Sequence, residues 1–178
     1  MSEKTILVVV ALRNFRDEEL TEPIHYLEKA GIRYEVVSTQ KGLAVGMLGG
    51  KMLIEKTLAD VKETGINGYD GILIVGGGGA PEYLWNQTTL MDIIRQFDAA
   101  GKIIGAICLS SAVLAQAGVL KEKNATVWND DQAIAEIRKG GGIFKSEPVV
   151  VDGRIITANG PNASAAFGEK MARAVSGI

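Results

Sequence analysis

Across 178 residues the chain is 47% hydrophobic and 22% charged, with a formal net charge of −2, a balance that lacks the basic footprint for nucleic acid or an anionic membrane. The length predicts one domain over residues 1–178 with a full hydrophobic core. One cysteine cannot close an internal disulfide and no Cys/His cluster holds a metal, so the thiol serves packing or chemistry in a reducing compartment, by default the cytoplasm.

The apolar run at 5–12 is too short to span a bilayer and runs into the charged Arg13-Asn-Phe-Arg-Asp-Glu-Glu19, so it is expected to be a buried first strand over 5–11. A helix follows from Asp17 or Glu18 to Ala30, with Leu20, Ile24 and Leu27 on one face and Gly31 as its stop. The strand RYEVVS at 33–38 completes a βαβ unit. The Gly-rich segment 41–57 has no helical period and predicts a short extended excursion with turns. Two further apolar runs, 71–75 and 102–107, have the continuous hydrophobicity of strands covered on both faces. Helices are predicted over 90–100, 110–117, 130–139 and 163–176, and the β-rich arms at 148–157 meet at an Asp-Gly turn. The alternation predicts a doubly wound α/β sandwich with a mostly parallel sheet, in which functional residues follow the carboxyl ends of strands.

Three segments fit that placement. Cys108 ends a strand, and its flanks at −2 and +2, Ala106 and Ser110, are small enough for a sharp strand-to-helix elbow. A helix starting near Ser110 would aim N–H groups at the sulfur and favour thiolate, whereas a free cysteine in general is most often a small buried hydrophobe. The run Gly76-Gly-Gly-Gly-Ala-Pro-Glu82 lets backbone approach a ligand and offers N–H groups to an oxyanion. Phosphate binding is disfavoured there by the absence of a P-loop lysine and by Pro81. In the acidic start of the first helix, Asp17 and Glu18 read as solvated charges on the helix dipole. If the first strand and the strand before Cys108 lie side by side, Glu19 reaches the thiol, keeps its own proton and lowers the thiol pKa. His25, the one histidine, is about 240° around the helix from Glu19 and is expected to be a partly exposed residue without a catalytic role. A Cys-His dyad therefore has no base within the chain.

Taken in order, segments 15–23, 30–38, 76–82, 106–120 and 149–161 resemble the DJ-1/PfpI (ThiJ/PfpI) family over nearly the whole length. The resemblance implies a flavodoxin-like three-layer sandwich, with Cys108 as the elbow cysteine and Glu19, four residues before Pro23, as the acid that hydrogen-bonds it. It also implies that Gly77 and Gly78 line the site, that Glu82 stands where a peptidase-type branch uses an acid from a neighbouring subunit, and that the protein is a homodimer or higher homo-oligomer. The sequence departs from the peptidase pattern at Leu109, where those members carry histidine, and Trp128 stands where DJ-1-like members supply another imidazole. Trp128 is expected to be a pocket wall or a packing residue.

Three activities are compatible with this pattern, all free of cofactor and metal, with a small-molecule electrophile or oxidant as partner. The first is a stress or detoxification enzyme acting on 2-oxoaldehydes, glyoxalase- or deglycase-like, with Cys108 as nucleophile and Glu19 as proton carrier. The second is a non-enzymatic redox sensor or holdase chaperone in which peroxide oxidises Cys108. The third, an intracellular peptidase or hydratase, is disfavoured by Leu109.

Overall fold

The computed structural model describes residues 3–178. From the amino end come strands β1 (Thr5–Val9) and β2 (Arg13–Phe15), helix α1 (Asp17–Lys29), strands β3 (Arg33–Ser38), β4 (Gly42–Gly46), β5 (Lys51–Ile54) and β6 (Lys56–Thr57), and helix α2 (Leu58–Thr64). Then follow β7 (Gly71–Ile74), α3 (Ala80–Tyr83), α4 (Thr88–Ala99), β8 (Ile103–Ile107), α5 (Ser111–Gln116) and β9 (Asn124–Ala125). The chain finishes with α6 (Asp131–Lys139), β10 (Ile143–Phe144), β11 (Val149–Asp152), β12 (Ile155–Ala158) and α7 (Ser164–Ser176).

Seven strands form the central sheet in the order β11-β12-β8-β7-β1-β3-β6. All neighbours are parallel except β11, which folds back antiparallel on β12 through the predicted Asp152-Gly153 turn. Alternate residues of the buried strands feed two separate cores, as the twofold period of a strand requires. Leu7, Val9, Ile72, Ile74, Ile104 and Ala106 pack with residues of α2, α4, α5 and α6 on one face. Ile6, Val8, Leu73, Ile107 and Ile156 pack with α1 and α7 on the other. The result is the expected flavodoxin-like three-layer sandwich. Among the described residues no helix is long and apolar enough to cross a membrane.

Parts of the chain depart from expectation, among them segment 41–57 and α2. Segment 41–57 is more than an excursion: β4 and β5 pair antiparallel, β4 lies parallel to β2, and β6 returns to the edge of the main sheet. The satellite sheet forms because Ala44 and Ile54 have apolar partners to bury, a tertiary fact with no local signature. Helix α2 escaped the reading because it is seven residues long, yet its start carries a reciprocal capping box in which Thr57 and Asp60 satisfy each other's backbone N–H.

The order of strands also corrects the premise about Glu19. Strands β1 and β8 are not side by side; β7 lies between them. The loop after β7 is therefore wedged between the start of α1 and the elbow after β8, and it sits hard against β2. A Cβ at Gly79 would fall 1.9 Å from the carbonyl oxygen of Arg13. Gly79→Ala is expected to lower stability by about 1–3 kcal/mol in urea unfolding, because backbone rather than a flexible side chain must give way. A midpoint and slope unchanged from wild type would show that this loop is not held against β2.

Candidate active site

At the end of β8 the chain turns through Cys108, whose φ of +61° lies in the left-handed region that a side chain with a Cβ occupies only under constraint. The small flanks allow the bend and also tie it down. Ser110 Oγ donates to the carbonyl of Val75 at 2.7 Å and Ser111 Oγ to that of Ala106 at 3.3 Å, so both hydroxyls are committed to the neighbouring strands. The helix expected to begin near Ser110 is present, with Ser110 as its N-cap. Residues Cys108–Ser110 form a 3-10 turn, and α5 begins only at Ser111 and is six residues long. The N–H groups that meet the sulfur are instead those of Gly77 and Leu109.

Glu19 is fully buried one turn into α1 and reaches across the end of β7. Its Oε2 accepts the N–H of Gly76 at 2.9 Å. Its Oε1, equally buried, has no hydrogen-bond partner among the described residues, and Cys108 lines the same pocket. Burial pushes the Glu19 carboxyl up to about 7, against the opposing pull of hydrogen bonds from Cys108 and the Gly76 N–H. Burial also pushes the Cys108 thiol up to about 12, with the Glu19 charge adding to the rise and the Gly77 and Leu109 amides countering it. Beside an ionised Glu19 the thiol is thus raised rather than lowered, opposite to the expectation. The two groups share one dry site, where a second negative charge is costly whichever group carries the first.

The loop between β7 and α3 supplies donors in sequence. Gly76 N–H serves Glu19 Oε2, Gly77 N–H lies against the Cys108 sulfur, and Gly78 N–H donates to the thioether Sδ of Met47 at 3.3 Å. Three consecutive amides thus address three different side chains. The arrangement needs glycine at position 77, where φ is +110° and a Cβ would come within 2.4 Å of the Arg16 nitrogen.

These groups open onto a pocket of about 180 Å³ lined by Arg16, Glu19, Met47, Gly77, Gly78, Cys108, Leu109, Trp128 and Pro161. Six of the seven residues singled out from the sequence therefore converge. Trp128 forms a wall, 45% exposed, packed on Gly160, with its backbone N–H donating to the Cys108 carbonyl at 3.3 Å. Leu109 lies at the pocket with its carbonyl accepting the Trp85 indole N–H at 2.8 Å. Glu82 stands apart, exposed on α3. His25 is exposed on α1 with its ring edge-on to Tyr26, outside the pocket.

Arg16, Met47 and Pro161 were not anticipated. The guanidinium of Arg16 takes both carboxylate oxygens of Glu18, at 2.7 and 3.0 Å, at the pocket mouth. Glu18 is thus paired, and Asp17 is not a solvated helix charge either. The Asp17 carboxylate accepts the N–H groups of Leu48 and Gly50, each at 2.7 Å, and anchors the β4–β5 turn. Nothing local connects Met47 to Gly78, thirty-one residues away.

The Glu19 shift has a thermodynamic consequence. Its carboxyl titrates near 7 in the folded protein and near 4.5 as an ordinary carboxyl. The folded state therefore holds the proton more tightly, and the stability present below pH 4.5 is lost as pH rises through 7. Glu19→Gln keeps an acceptor for Gly76 and removes the titration. Its stability relative to wild type is expected to improve by about 3 kcal/mol between acid and mildly alkaline pH, read from paired urea titrations. A pH-independent difference would place the Glu19 carboxyl in water.

Comparison with known proteins gives a consistent lineage. The model of the DJ-1/PfpI family matches residues 4–174. An uncharacterized protein of Methanocaldococcus jannaschii is 46% identical over 175 residues, covering 98% of this chain and 84% of that one. Protein/nucleic acid deglycase 2 of Escherichia coli is 28% identical over 178 residues, covering 97% and 98%. Among solved structures, a ThiJ/PfpI domain protein from Brachyspira murdochii superposes with a TM-score of 0.92 at 32% identity, covering 99% of both chains. With the family model spanning nearly the whole chain and the same fold in its relatives, this protein belongs to the DJ-1/PfpI family.

Proposed function

We propose that the protein is a thiol-based detoxification enzyme acting on small 2-oxoaldehydes, in the manner of a cofactor-independent glyoxalase or deglycase. The observation that carries this reading is the orphaned, buried Oε1 of Glu19 beside Cys108. The pair has one proton to share near neutral pH. With that proton on Oε1, the carboxylic acid donates to sulfur, the Coulomb penalty on the thiolate vanishes, and the Gly77 and Leu109 amides complete its hydrogen bonds. A relative named as a protein/nucleic acid deglycase supports the deglycase side of this reading.

The chemistry balances without a cofactor. The Cys108 thiolate adds to the aldehyde carbon, and the new alkoxide takes the Glu19 proton. Glu19, now a carboxylate, removes the hydrogen on that carbon and returns it to the adjacent carbon, as the hydroxyl hydrogen passes to the second oxygen. Water hydrolyses the resulting thioester: its hydroxyl goes to the acyl carbon and its remaining proton to the Glu19 carboxylate, which releases a 2-hydroxy acid and restores both the thiolate and the protonated acid. The aldehyde carbon is oxidised and its neighbour reduced, so no external electron acceptor is needed. A homo-oligomer belongs to this reading, with the exposed Glu82 as the acid offered at a subunit boundary.

The absence of an imidazole from the pocket lining favours a second reading, an oxidant sensor, because oxidation of Cys108 by peroxide needs no general base. One experiment separates the two. Alkylation of Cys108 by iodoacetamide is expected to rise through about pH 7, where the pair loses its first proton, and then to level off. In Glu19→Gln that plateau should disappear, with reactivity climbing only above the free-thiol pKa of about 8.5. Lactate formation from methylglyoxal should fall at least about 100-fold in Glu19→Gln and vanish in Cys108→Ser. Wild-type alkylation rising only toward pH 12 would overturn both readings. Rapid alkylation without lactate would transfer the assignment to the sensor, and casein cleavage that depends on Cys108 would transfer it to a peptidase.

A further inference from the structure

Met47 is the one pocket side chain that occupies a donor the chemistry wants. Its position is built. The Met47 N–H donates to the Phe15 carbonyl at 2.8 Å, and the residues on either side are held as Asp17 gathers the Leu48 and Gly50 N–H groups and Gly46 N–H bonds the Gly50 carbonyl at 2.7 Å. The backbone is pinned while the side chain is free to move, because Met47 is 46% exposed and unbranched, with three rotatable bonds. Its thioether is a weak acceptor, so the Gly78 N–H is satisfied without being strongly engaged. An oxygen bearing charge forms a much stronger bond to the same amide.

We propose that Met47 is a displaceable gate over the Gly78 amide and thereby a specificity-determining residue. Adducts of Cys108 that carry an oxygen near that amide expel the thioether, and adducts without one leave it in place. The proposal deepens, and in its kinetic part rests on, the assignment of Cys108 as a nucleophile toward carbonyl carbon. It keeps the Gly78 amide on the thioether until a ligand oxygen competes for it, which selects compact, oxygen-bearing electrophiles in a pocket of about 180 Å³.

The test has a spectroscopic and a kinetic arm. Methyl methanethiosulfonate converts the Cys108 thiolate to a methyl disulfide with loss of methanesulfinate and leaves no oxygen on the protein. Iodoacetamide loses iodide and leaves a carbonyl oxygen. The Gly78 amide proton is expected to move downfield in the carbamidomethylated protein and not in the methylthiolated one, as oxygen replaces sulfur at that N–H. For methylglyoxal turnover, Met47→Leu, which has no acceptor, should lower KM about three- to tenfold. Met47→Gln, with a stronger acceptor of similar reach, should raise it by a similar factor, with kcat moving less than KM in both. General loosening of the pocket would move both variants the same way. The gate is overturned by an equal Gly78 shift in the two adducts, or by KM values that move together or not at all in a wild-type enzyme that makes lactate. A selective Gly78 shift in a protein that makes no lactate would uphold the gate while removing the carbonyl reading.

Discussion

The hydrogen bond from the Gly76 N–H to Glu19 Oε2 is the contact around which the carboxyl edge of the sheet is organised. It joins the first turn of α1 to the loop after β7, and through that loop to the elbow after β8. A carboxyl group with no solvent contact is costly unless it is paired or protonated. Glu19 is half satisfied by Gly76, and its other oxygen has no hydrogen-bond partner among the described residues. The fold therefore buries a carboxyl and a thiol in one pocket, and the strain at Cys108 φ +61° is the geometric counterpart of bringing the sulfur there.

The glycine run extends the same logic. Ordinary loops spend their N–H groups on water or on a single neighbour. Here successive amides of residues 76, 77 and 78 point at a carboxylate, a thiol and a thioether. The charge on the Cys108 sulfur is thus opposed first by burial and then by the nearby carboxylate, and favoured by the local amide dipoles. The missing imidazole is consistent with such a device. With Leu109 and Trp128 as apolar walls, Glu19 is the carboxyl group lining the pocket, and Arg16 is already engaged by Glu18.

The β4–β5 hairpin has a role that composition conceals. Its exposed apolar residues, Met47 and Leu48 at the turn and Leu43 and Leu53 paired across the strands, have the character of a loosely attached flap. Asp17 makes it otherwise, because two N–H groups on one carboxylate at 2.7 Å fix the turn against the start of α1. Met47 is consequently delivered to the pocket by the backbone, and its side chain retains freedom of movement.

Much of this protein was determined by its sequence alone. Continuous apolar runs make β1, β7 and β8 legible, the 3.6-residue period makes α1 and α7 legible, and the small flanks of Cys108 mark an elbow. Glu19 was legible as a partner through its place on α1 and before Pro23. Strand order was decided only in three dimensions, because a parallel sheet is ordered by which faces bury which neighbours. It put β7 between β1 and β8 and brought the Gly76 amide to Glu19. Met47, Arg16 and the Asp17 clamp belong to the same category, since contacts between residues thirty or more positions apart leave no period or motif in either segment. The sign of the Cys108 shift was likewise tertiary. Residue types announce which groups can ionise, whereas burial, neighbouring charge and the direction of amides set how readily they do.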